Sequence, residues 1–219
     1  MKLETERLIL RPWEEADAED LYRYAKDPEV GPPAGWPPHT GVENSRAIIQ
    51  NVLRAPQTYA VCLKNGKPIG SVGLKLKGST DMTDREDECE LGYWLGKPFW
   101  GQGLIPEAAR ELIRYAFEEL GMRAVWCGYY EGNEKSRKVQ QKLGFLYRYT
   151  TEGLQVSLMN ELRTGHTNLL TRERWQKVLL FRAQKKTLDT FLEKKAISPA
   201  QYGKSLGDLR KLMDMEGVT

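Results

Sequence analysis

The fold of this chain is decided by residues 90–108, whose sequence is ELGYWLGKPFWGQGLIPEA. The apolar and aromatic first part predicts a strand over Glu90–Gly96, and the spacing of apolar residues farther on predicts a helix over Pro106–Leu120. Between them, Gly101 and Gly103 lack the β-carbons that would keep a ligand away from the backbone. Free N–H groups and the positive end of the helix dipole therefore converge there, which predicts a phosphate-binding loop.

Taken alone, this loop is a weak signal. It lacks the third glycine of a dinucleotide-binding fingerprint and the Lys-Ser/Thr pair of a P-loop. The alternative is a plain turn between a strand and a helix. Only motifs elsewhere in the chain can distinguish such a turn from a phosphate-binding loop.

The composition limits the classes of protein that need to be considered. The chain has 219 residues, 40% hydrophobic and 29% charged, with a formal net charge of +3, which is typical of a globular protein with one full domain and a remainder. A nucleic-acid binder usually shows a clustered basic face, which is not evident here. The longest uncharged stretch, Val30–Val42, has 13 residues and four prolines, so no membrane span is predicted. The first seven residues mix charges of both signs, unlike a signal peptide, and we expect a cytoplasmic location.

The three cysteines do not predict a metal site. Cys62, Cys89 and Cys127 lie far apart, without the CxxC spacing of zinc ligands, and only two histidines could join them. Each lies in or beside a short apolar run, which is typical of a small buried side chain. A nucleophilic Cys127 is the alternative.

Outward from the central stretch, strands alternate with helices, as in an α/β protein. Further strands are predicted at Thr5–Trp13, Thr58–Leu63, Pro68–Lys75, Ala124–Tyr130, Phe145–Thr151 and within Val156–Leu170. Further helices are predicted from Asp17, at Glu43–Leu53 with Ala47, Ile48, Val52 and Leu53 inward, and at Glu134–Leu143. Asn65-Gly66 predicts a tight hairpin turn, Pro28–Pro38 a loop, and the apolar runs around Trp94, Trp100 and Trp126 predict core positions for these tryptophans.

After Trp175 the pattern changes to two helices joined by a short turn. One apolar stripe includes Leu188 and Phe191, and Ser198-Pro199 then provides an N-cap followed by proline in the first helical turn. This tail carries eight basic and five acidic residues from Val178 onward, so it holds the whole net charge of the chain. Two helices have too small a core to be stable alone, and we expect them to pack on the preceding domain or on a second copy of it.

Two later motifs decide how the central loop is interpreted. Asn133-Glu-Lys-Ser136 and Lys142-Leu-Gly-Phe145 follow the loop in the chain, Thr5-Glu-Arg-Leu-Ile-Leu-Arg-Pro12 precedes it, and Arg163-Thr-Gly-His166 comes near the end. Together these motifs resemble the GNAT family of acetyl-CoA-dependent N-acetyltransferases, in particular its RimJ/RimL type, which modifies protein N-termini. The resemblance spans Leu3–Trp175. It implies the acyl-CoA N-acyltransferase fold, with a mixed central sheet of about six or seven strands flanked by helices. The division is then a catalytic domain over 1–176 and a helical appendage over 177–219.

The resemblance also implies a set of cofactor-binding residues. The amides of Gly101, Gln102, Gly103 and Leu104 would hold the pyrophosphate of acetyl-CoA, although Pro98 departs from the Gln or Arg that usually begins this motif. The backbone of Tyr93, Trp94 and Leu95 would pair with the pantetheine arm where two central strands splay apart. Asn133 matches the family's pantetheine-contacting asparagine, and Lys135 could meet the phosphates. No metal is implied.

For catalysis, the resemblance implies Glu90 as the base, direct or through water, and Ser136 as the proton donor to the leaving thiolate. Many members place a tyrosine on the helix after Asn133 for that purpose, but the aligned residue here is Gln140, which cannot supply a proton. A backbone N–H near Tyr93 or Trp94 would stabilise the oxyanion.

The loop with Trp36 and His39 lies between the first two helices, which border the acceptor site in this family, so these two residues are expected to line the amine pocket. The expected activity is direct transfer from acetyl-CoA to a primary amine, either a protein N-terminus or a small molecule, with no nucleic-acid or membrane partner and a possible homodimer. A non-catalytic module that binds CoA or a protein is the alternative. Transfer through an acetylated Cys127 is a minor variant.

Overall fold

The computed structural model describes residues 1–219, and its centre is one sheet of eight strands. The strands run in spatial order β1-β2-β3-β4-β5-β6-β8-β7. Their bounds are β1 Leu3–Glu4, β2 Leu8–Arg11, β3 Thr58–Leu63, β4 Pro68–Lys75, β5 Glu88–Leu95, β6 Ala124–Tyr130, β7 Leu146–Val156 and β8 Glu161–Thr171. Every neighbouring pair is antiparallel except β5 and β6, which are parallel. The α/β fold with a mixed sheet is confirmed.

The sheet has one strand more than the seven segments predicted from the sequence. The strand predicted over Thr5–Trp13 is shorter in the structure, where β2 spans Leu8–Arg11. The additional strand, β1, lies just before the predicted segment, and the bond from Thr5 N–H to Leu8 O, 3.0 Å long, closes the turn that joins β1 to β2. The predicted β3–β4 hairpin matches the structure. Its turn contains Gly66 at φ 87°, the left-handed conformation that glycine adopts easily.

Six helices flank or extend the sheet. Their bounds are α1 Ala18–Ala25, α2 Val42–Ile48, α3 Leu104–Glu118, α4 Glu134–Leu143, α5 Arg172–Glu193 and α6 Pro199–Met213. The apolar face of α3 packs into the largest hydrophobic core, which contains 27 buried residues and runs across the sheet from β1 and β2 to the start of α5. This helix fixes the position of the glycine loop that precedes it.

The inward face predicted for the second helix is correct only for Ile48, which is half-buried, and Leu53, which packs against a core cluster. Ala47 and Val52 are exposed, and Ser45 and Ile49 are buried instead. The helix continues from α2 into a single wider π-helical stretch over Ile49–Leu53, which shifts the helical phase that the spacing rule assumes.

The tail packs on the preceding domain. Trp175 in the first turns of α5 belongs to the main core and its ring centroid lies 5.0 Å from that of Phe117. A separate small core joins α5, α6 and the last residues of the chain, and it contains Val178, Phe181, Leu206, Met215 and Val218. The division predicted between residues 176 and 177 falls inside α5 and stays a prediction.

Candidate active site

The two parallel strands at the centre of the sheet separate along their length. Pairing between β5 and β6 is confined to Glu88–Ala124, Cys89–Val125 and Glu90–Trp126. Beyond Glu90, one edge of β5 still pairs with β4, from Leu91 opposite Leu74 to Leu95 opposite Gly70. The other edge, which includes Tyr93, Trp94 and Leu95, has no strand beside it. A cavity of about 1030 Å³ occupies this gap, and all three residues line it.

The glycine loop forms one wall of the same cavity. Gly101 and Gly103 have φ 77° and 74°, and Gly103 is the N-cap of α3. None of the backbone N–H groups of residues 101–105 has an acceptor within the protein. A β-carbon on Gly101 would meet nothing within 4 Å, so the space in front of the loop is open. A cradle of free amides at a helix N-terminus suits a phosphate group.

The members of the predicted phosphate loop contribute in different ways. Gly101, Gly103 and Leu104 line the cavity, whereas Gln102 does not. The Gln102 side chain donates from Nε2 to Pro98 O at 3.0 Å. The backbone carbonyl of Gln102 accepts from Arg7 Nη1 at 3.0 Å. Gln102 therefore stabilises the shape of the loop and offers only its N–H to a ligand.

Basic side chains of α4 border the loop. The Lys135 ammonium lies 3.5 Å from the ring centroid of Trp100, a cation–π contact that holds it over the cavity wall. Lys138 and Lys142 also line the cavity. Arg137 lies off the wall and is paired with Glu134 at 3.0 Å. The cavity wall therefore combines the free amides of the glycine loop with three lysines of α4.

Asn133 is engaged by the protein itself. Its Oδ1 accepts from Ser136 N at 3.1 Å and caps α4, while its Nδ2 donates to Pro33 O at 3.0 Å. It lines the cavity and at the same time connects α4 to the proline-rich loop.

Ser136 belongs to a hydrogen-bonded cluster on the cavity wall. Its Oγ lies 2.9 Å from the Tyr93 hydroxyl and accepts from Gln140 Nε2 at 3.2 Å. Burial raises the pKa of Tyr93 well above its usual value, so the phenol stays protonated at neutral pH. The cluster is thus made of neutral donors and acceptors.

Glu90 lies at the point where β5 and β6 begin to separate. Only 7% of its surface is exposed, and it lines the cavity. Its Oε1 accepts from Lys75 Nζ at 2.7 Å and its Oε2 from Thr80 Oγ1 at 2.6 Å. Each carboxylate oxygen keeps a further lone pair, so the group can still accept a hydrogen bond from a water or an amine.

Cys127 also lines the cavity, but its chemistry does not suit a nucleophile. It is 1% exposed, and burial raises the pKa of its thiol well above the usual range, an effect to which the nearby Glu90 adds. The thiolate is the reactive form, and it is not populated here at neutral pH. Cys62 and Cys89 are buried as well.

These features can be compared with known proteins. The profile of the family described as "Acetyltransferase (GNAT) domain" matches residues 7–146. The chain belongs to the GNAT family. It is similar to the uncharacterized N-acetyltransferase p20 of Bacillus licheniformis, at 33% identity over 150 residues that cover 65% of this chain and 81% of p20. It is also similar to YdaF of Bacillus subtilis, provisionally named a ribosomal N-acetyltransferase, at 39% identity over 115 residues, 52% of this chain and 59% of YdaF.

Among solved structures, a GNAT acetyltransferase from Bacillus anthracis superposes with a TM-score of 0.69 at 20% identity, covering 79% of this chain and 99% of that one. This agreement confirms the GNAT fold. The chain is an acyltransferase of the GNAT family, whose co-substrate is acetyl-CoA. None of its helices is long and apolar enough to cross a membrane.

The residues predicted for the amine pocket of this GNAT protein do not line the cavity. The Trp36 ring packs edge-on against Trp94, with centroids 5.8 Å apart, and also contacts His39. His39 Nδ1 lies 2.8 Å from Ser45 Oγ, and burial lowers the pKa of the imidazole. Both side chains hold the loop against α2 and β5. The same loop reaches the cavity through Val30, Pro33 and Ala34 instead.

Several residues of the GNAT cavity carry no signal in the sequence. The far side of the cavity is lined by side chains of β6, β7 and β8, namely Tyr129, Tyr130, Tyr149, Thr151, Leu154, His166 and Thr167. His166 Nδ1 lies 2.9 Å from Thr150 Oγ1, and its ring centroid is 4.9 Å from that of Tyr129. Side chains of β8 alternate between the two faces of the sheet, and the pairing of β8 with β6 brings these residues together. No local sequence motif indicates this proximity.

The tryptophans predicted as core residues are only half-buried. Trp94 and Trp100 line the cavity, and Trp126 donates from Nε1 to Glu88 at 2.6 Å. The prediction is therefore correct only in part: Trp94 and Trp100 pack against the hydrophobic cores on one side and face the cavity on the other. An apolar run beside a gap is indistinguishable, by sequence, from one in a closed sheet.

Proposed function

We propose that this GNAT protein transfers the acetyl group of acetyl-CoA directly to a primary amine within a ternary complex. The observation that carries the proposal is the gap between β5 and β6. The cavity in this gap is bordered by the glycine loop with its free amides, by three lysines of α4, by Glu90 and Ser136, and by the unpaired edge of Tyr93–Leu95.

In this proposal, the amides of the glycine loop and Lys135 bind the pyrophosphate, and the free edge of β5 pairs with the pantetheine arm. Asn133, which lines the cavity, lies beside the pantetheine arm in this proposal. This arrangement would place the thioester near Ser136 and Glu90.

The transfer itself needs three contributions from the chain. Glu90, directly or through a water, accepts the proton that the amine loses as its C–N bond to the acetyl carbon forms. A backbone N–H near Tyr93 or Trp94 stabilises the oxyanion. When the C–S bond breaks, the electron pair goes to sulfur and the Ser136 hydroxyl donates to it. The protonated state of the buried Cys127 thiol favours this direct route over an acetylated cysteine.

For the acceptor, we propose an amine that enters along the wall of Tyr129, Tyr149 and His166. The name of YdaF and the RimJ/RimL-type motifs favour a protein N-terminus, and a small-molecule amine is the other possibility. A cytoplasmic location and a homodimer stay predictions, as does the absence of nucleic-acid and membrane partners.

Titration calorimetry with acetyl-CoA tests the cofactor half of the proposal. Gly103→Glu places a carboxylate in the cradle and should abolish binding. Gly121→Glu is the matched control, because Gly121 also has a positive φ, 72°, but lies beyond the opposite end of α3. Absence of binding to the unmodified protein would refute the proposal. Binding without CoA release for any amine or N-terminal peptide would favour the alternative, a non-catalytic CoA-binding module.

A further inference from the structure

A buried polar pair lies behind Ser136. Gln140 on α4 is 0% exposed and Asn168 on β8 is 7% exposed. Asn168 Nδ2 donates to Gln140 Oε1 at 2.6 Å. Polar side chains are rarely left at such depth without a reason, because burial costs free energy unless every group is paired.

The direction of the Gln140 amide is fixed by its neighbours. Its Nε2 lies 3.0 Å from the carbonyl oxygen of Gly128 on β6, and a carbonyl can only accept. The Nε2 must therefore face Gly128, which leaves Oε1 for Asn168 and the second N–H for Ser136 Oγ at 3.2 Å. Both N–H donors and the oxygen of the amide therefore have partners, and reversing the amide would set its oxygen against the Gly128 carbonyl oxygen.

This arrangement determines where the Ser136 proton can point. The one proton of the Tyr93 hydroxyl can go to Ser136 Oγ, 2.9 Å away, or to Ser136 O at 3.3 Å. When it goes to Oγ, Tyr93 and Gln140 both donate to Oγ from the protein side. A thiolate in the cavity favours this state, because a charged sulfur accepts a hydrogen bond from Ser136 more strongly than the neutral phenol oxygen does. The remaining direction, for the hydroxyl proton, faces the cavity that Ser136 lines.

We propose that Gln140, held in place by Asn168, is a positioning residue that aims the Ser136 hydroxyl at the departing thiolate. The proposal rests on the proposed acetyl transfer and explains how a chain with glutamine at the family's tyrosine position supports it. As the C–S bond breaks, sulfur receives the electron pair and the Ser136 O–H donates a hydrogen bond to it. The proton lost by the amine leaves through Glu90 or water, so Gln140 and Asn168 exchange no proton and act only through Ser136.

A double-mutant cycle tests this relation. Gln140→Met keeps the volume of the side chain but removes both N–H donors and the acceptor. We expect kcat to fall about tenfold, with the Kd for acetyl-CoA unchanged within about twofold, because only the orientation of Ser136 is lost. Ser136→Ala should lower kcat about a hundredfold. Gln140→Met should have no further effect when Ser136 is already alanine, since a residue that acts through another adds nothing once that residue is gone.

Two further variants separate positioning from structural damage. Gln140→Met/Asn168→Leu removes both buried polar groups, so the stability lost through the unpaired Asn168 should return while kcat stays low. Gln141→Met is the matched control, because Gln141 is the next residue of α4 and is exposed.

The outcomes are distinct. Non-additive losses of kcat with unchanged acetyl-CoA binding support the proposal. Losses that multiply, or a double variant that regains activity with its stability, overturn it while leaving acetyl transfer in place. An unmodified protein that binds acetyl-CoA but never releases CoA overturns the positioning role and the proposed transfer together.

Discussion

Replacing Glu90 by glutamine removes the proposed base while keeping the shape of the side chain. The structure offers a matched control two residues earlier on β5. Glu88 is buried to a similar extent, at 8% exposed against 7%, and accepts from Trp126 Nε1 at 2.6 Å and Thr83 Oγ1 at 2.8 Å. Unlike Glu90, it does not line the cavity.

The two substitutions should cost similar stability and differ in rate. An amide keeps one accepting oxygen, so Glu90→Gln loses about one hydrogen bond from a charged group, and Glu88→Gln loses an ion pair with Arg85, which lies 3.3 Å away. For Glu90 that partner is Lys75, whose side chain is half-exposed, and screening by solvent reduces the loss to about 1 kcal/mol. The loss at Glu88 should also be small, because the Arg85 side chain is half-exposed and solvent screens its charge. Loss of a general base, by contrast, lowers kcat by about 10²- to 10⁴-fold, and only Glu90→Gln should show it.

The assay follows CoA release with a thiol reagent, alongside chemical denaturation and calorimetry with acetyl-CoA. Glu90→Gln should bind acetyl-CoA as the unmodified protein does, because the carboxylate lies away from the phosphate loop. If both variants lose activity equally, the loss is structural. If neither loses it, Glu90 is not the base.

Three further predictions follow from single sites. Gly144→Ala should destabilise the protein by about 2 kcal/mol or more in thermal or denaturant unfolding, because Gly144 has φ 92° and a β-carbon there would lie 2.5 Å from Val178 Cγ2; unchanged stability would contradict the docking of the tail on α4. Lys135→Met should weaken acetyl-CoA binding about fivefold by calorimetry at low salt, and Arg137→Met should not, since Arg137 is paired off the cavity wall; equal losses would indicate only a general charge effect. Cys127→Ala should keep kcat within about threefold, because burial raises the pKa of the thiol and keeps it protonated at neutral pH; acetyl label retained on the unmodified chain after gel filtration would contradict this.

Much of the fold could be predicted because its signals are local. The β3–β4 hairpin follows from Asn65-Gly66 between two β-prone runs, and the bounds of β6 and α4 match the sequence prediction. The predictions that differ from the structure also fail because of local features of the backbone. The π-helical stretch after α2 shifts the phase of the helix, and the turn from β1 to β2 takes up Thr5–Arg7, the first part of the segment predicted as a strand.

The residues of the site could be predicted only where a local motif or the family resemblance indicates them. The glycine loop was visible because strand, glycines and helix are adjacent in the chain. Tyr149 and His166 were not, because they reach the cavity through pairing of β7 and β8 with the rest of the sheet. The partnership of Gln140 with Asn168 joins residues that are 28 positions apart, and a polar residue inside a helix predicts a solvated face more readily than a buried bond.

The central claim is that the gap between β5 and β6 is a site of direct acetyl transfer, and mass spectrometry of the acceptor tests it most directly. The unmodified protein, acetyl-CoA carrying a labelled acetyl group and a panel of N-terminal peptides and small amines should yield an acceptor that is heavier by one labelled acetyl group, with one CoA released for each. Gly103→Glu should yield none, and Gly121→Glu should react as the unmodified protein does. CoA release without an acetylated amine, or equal acetylation by Gly103→Glu, would contradict the account.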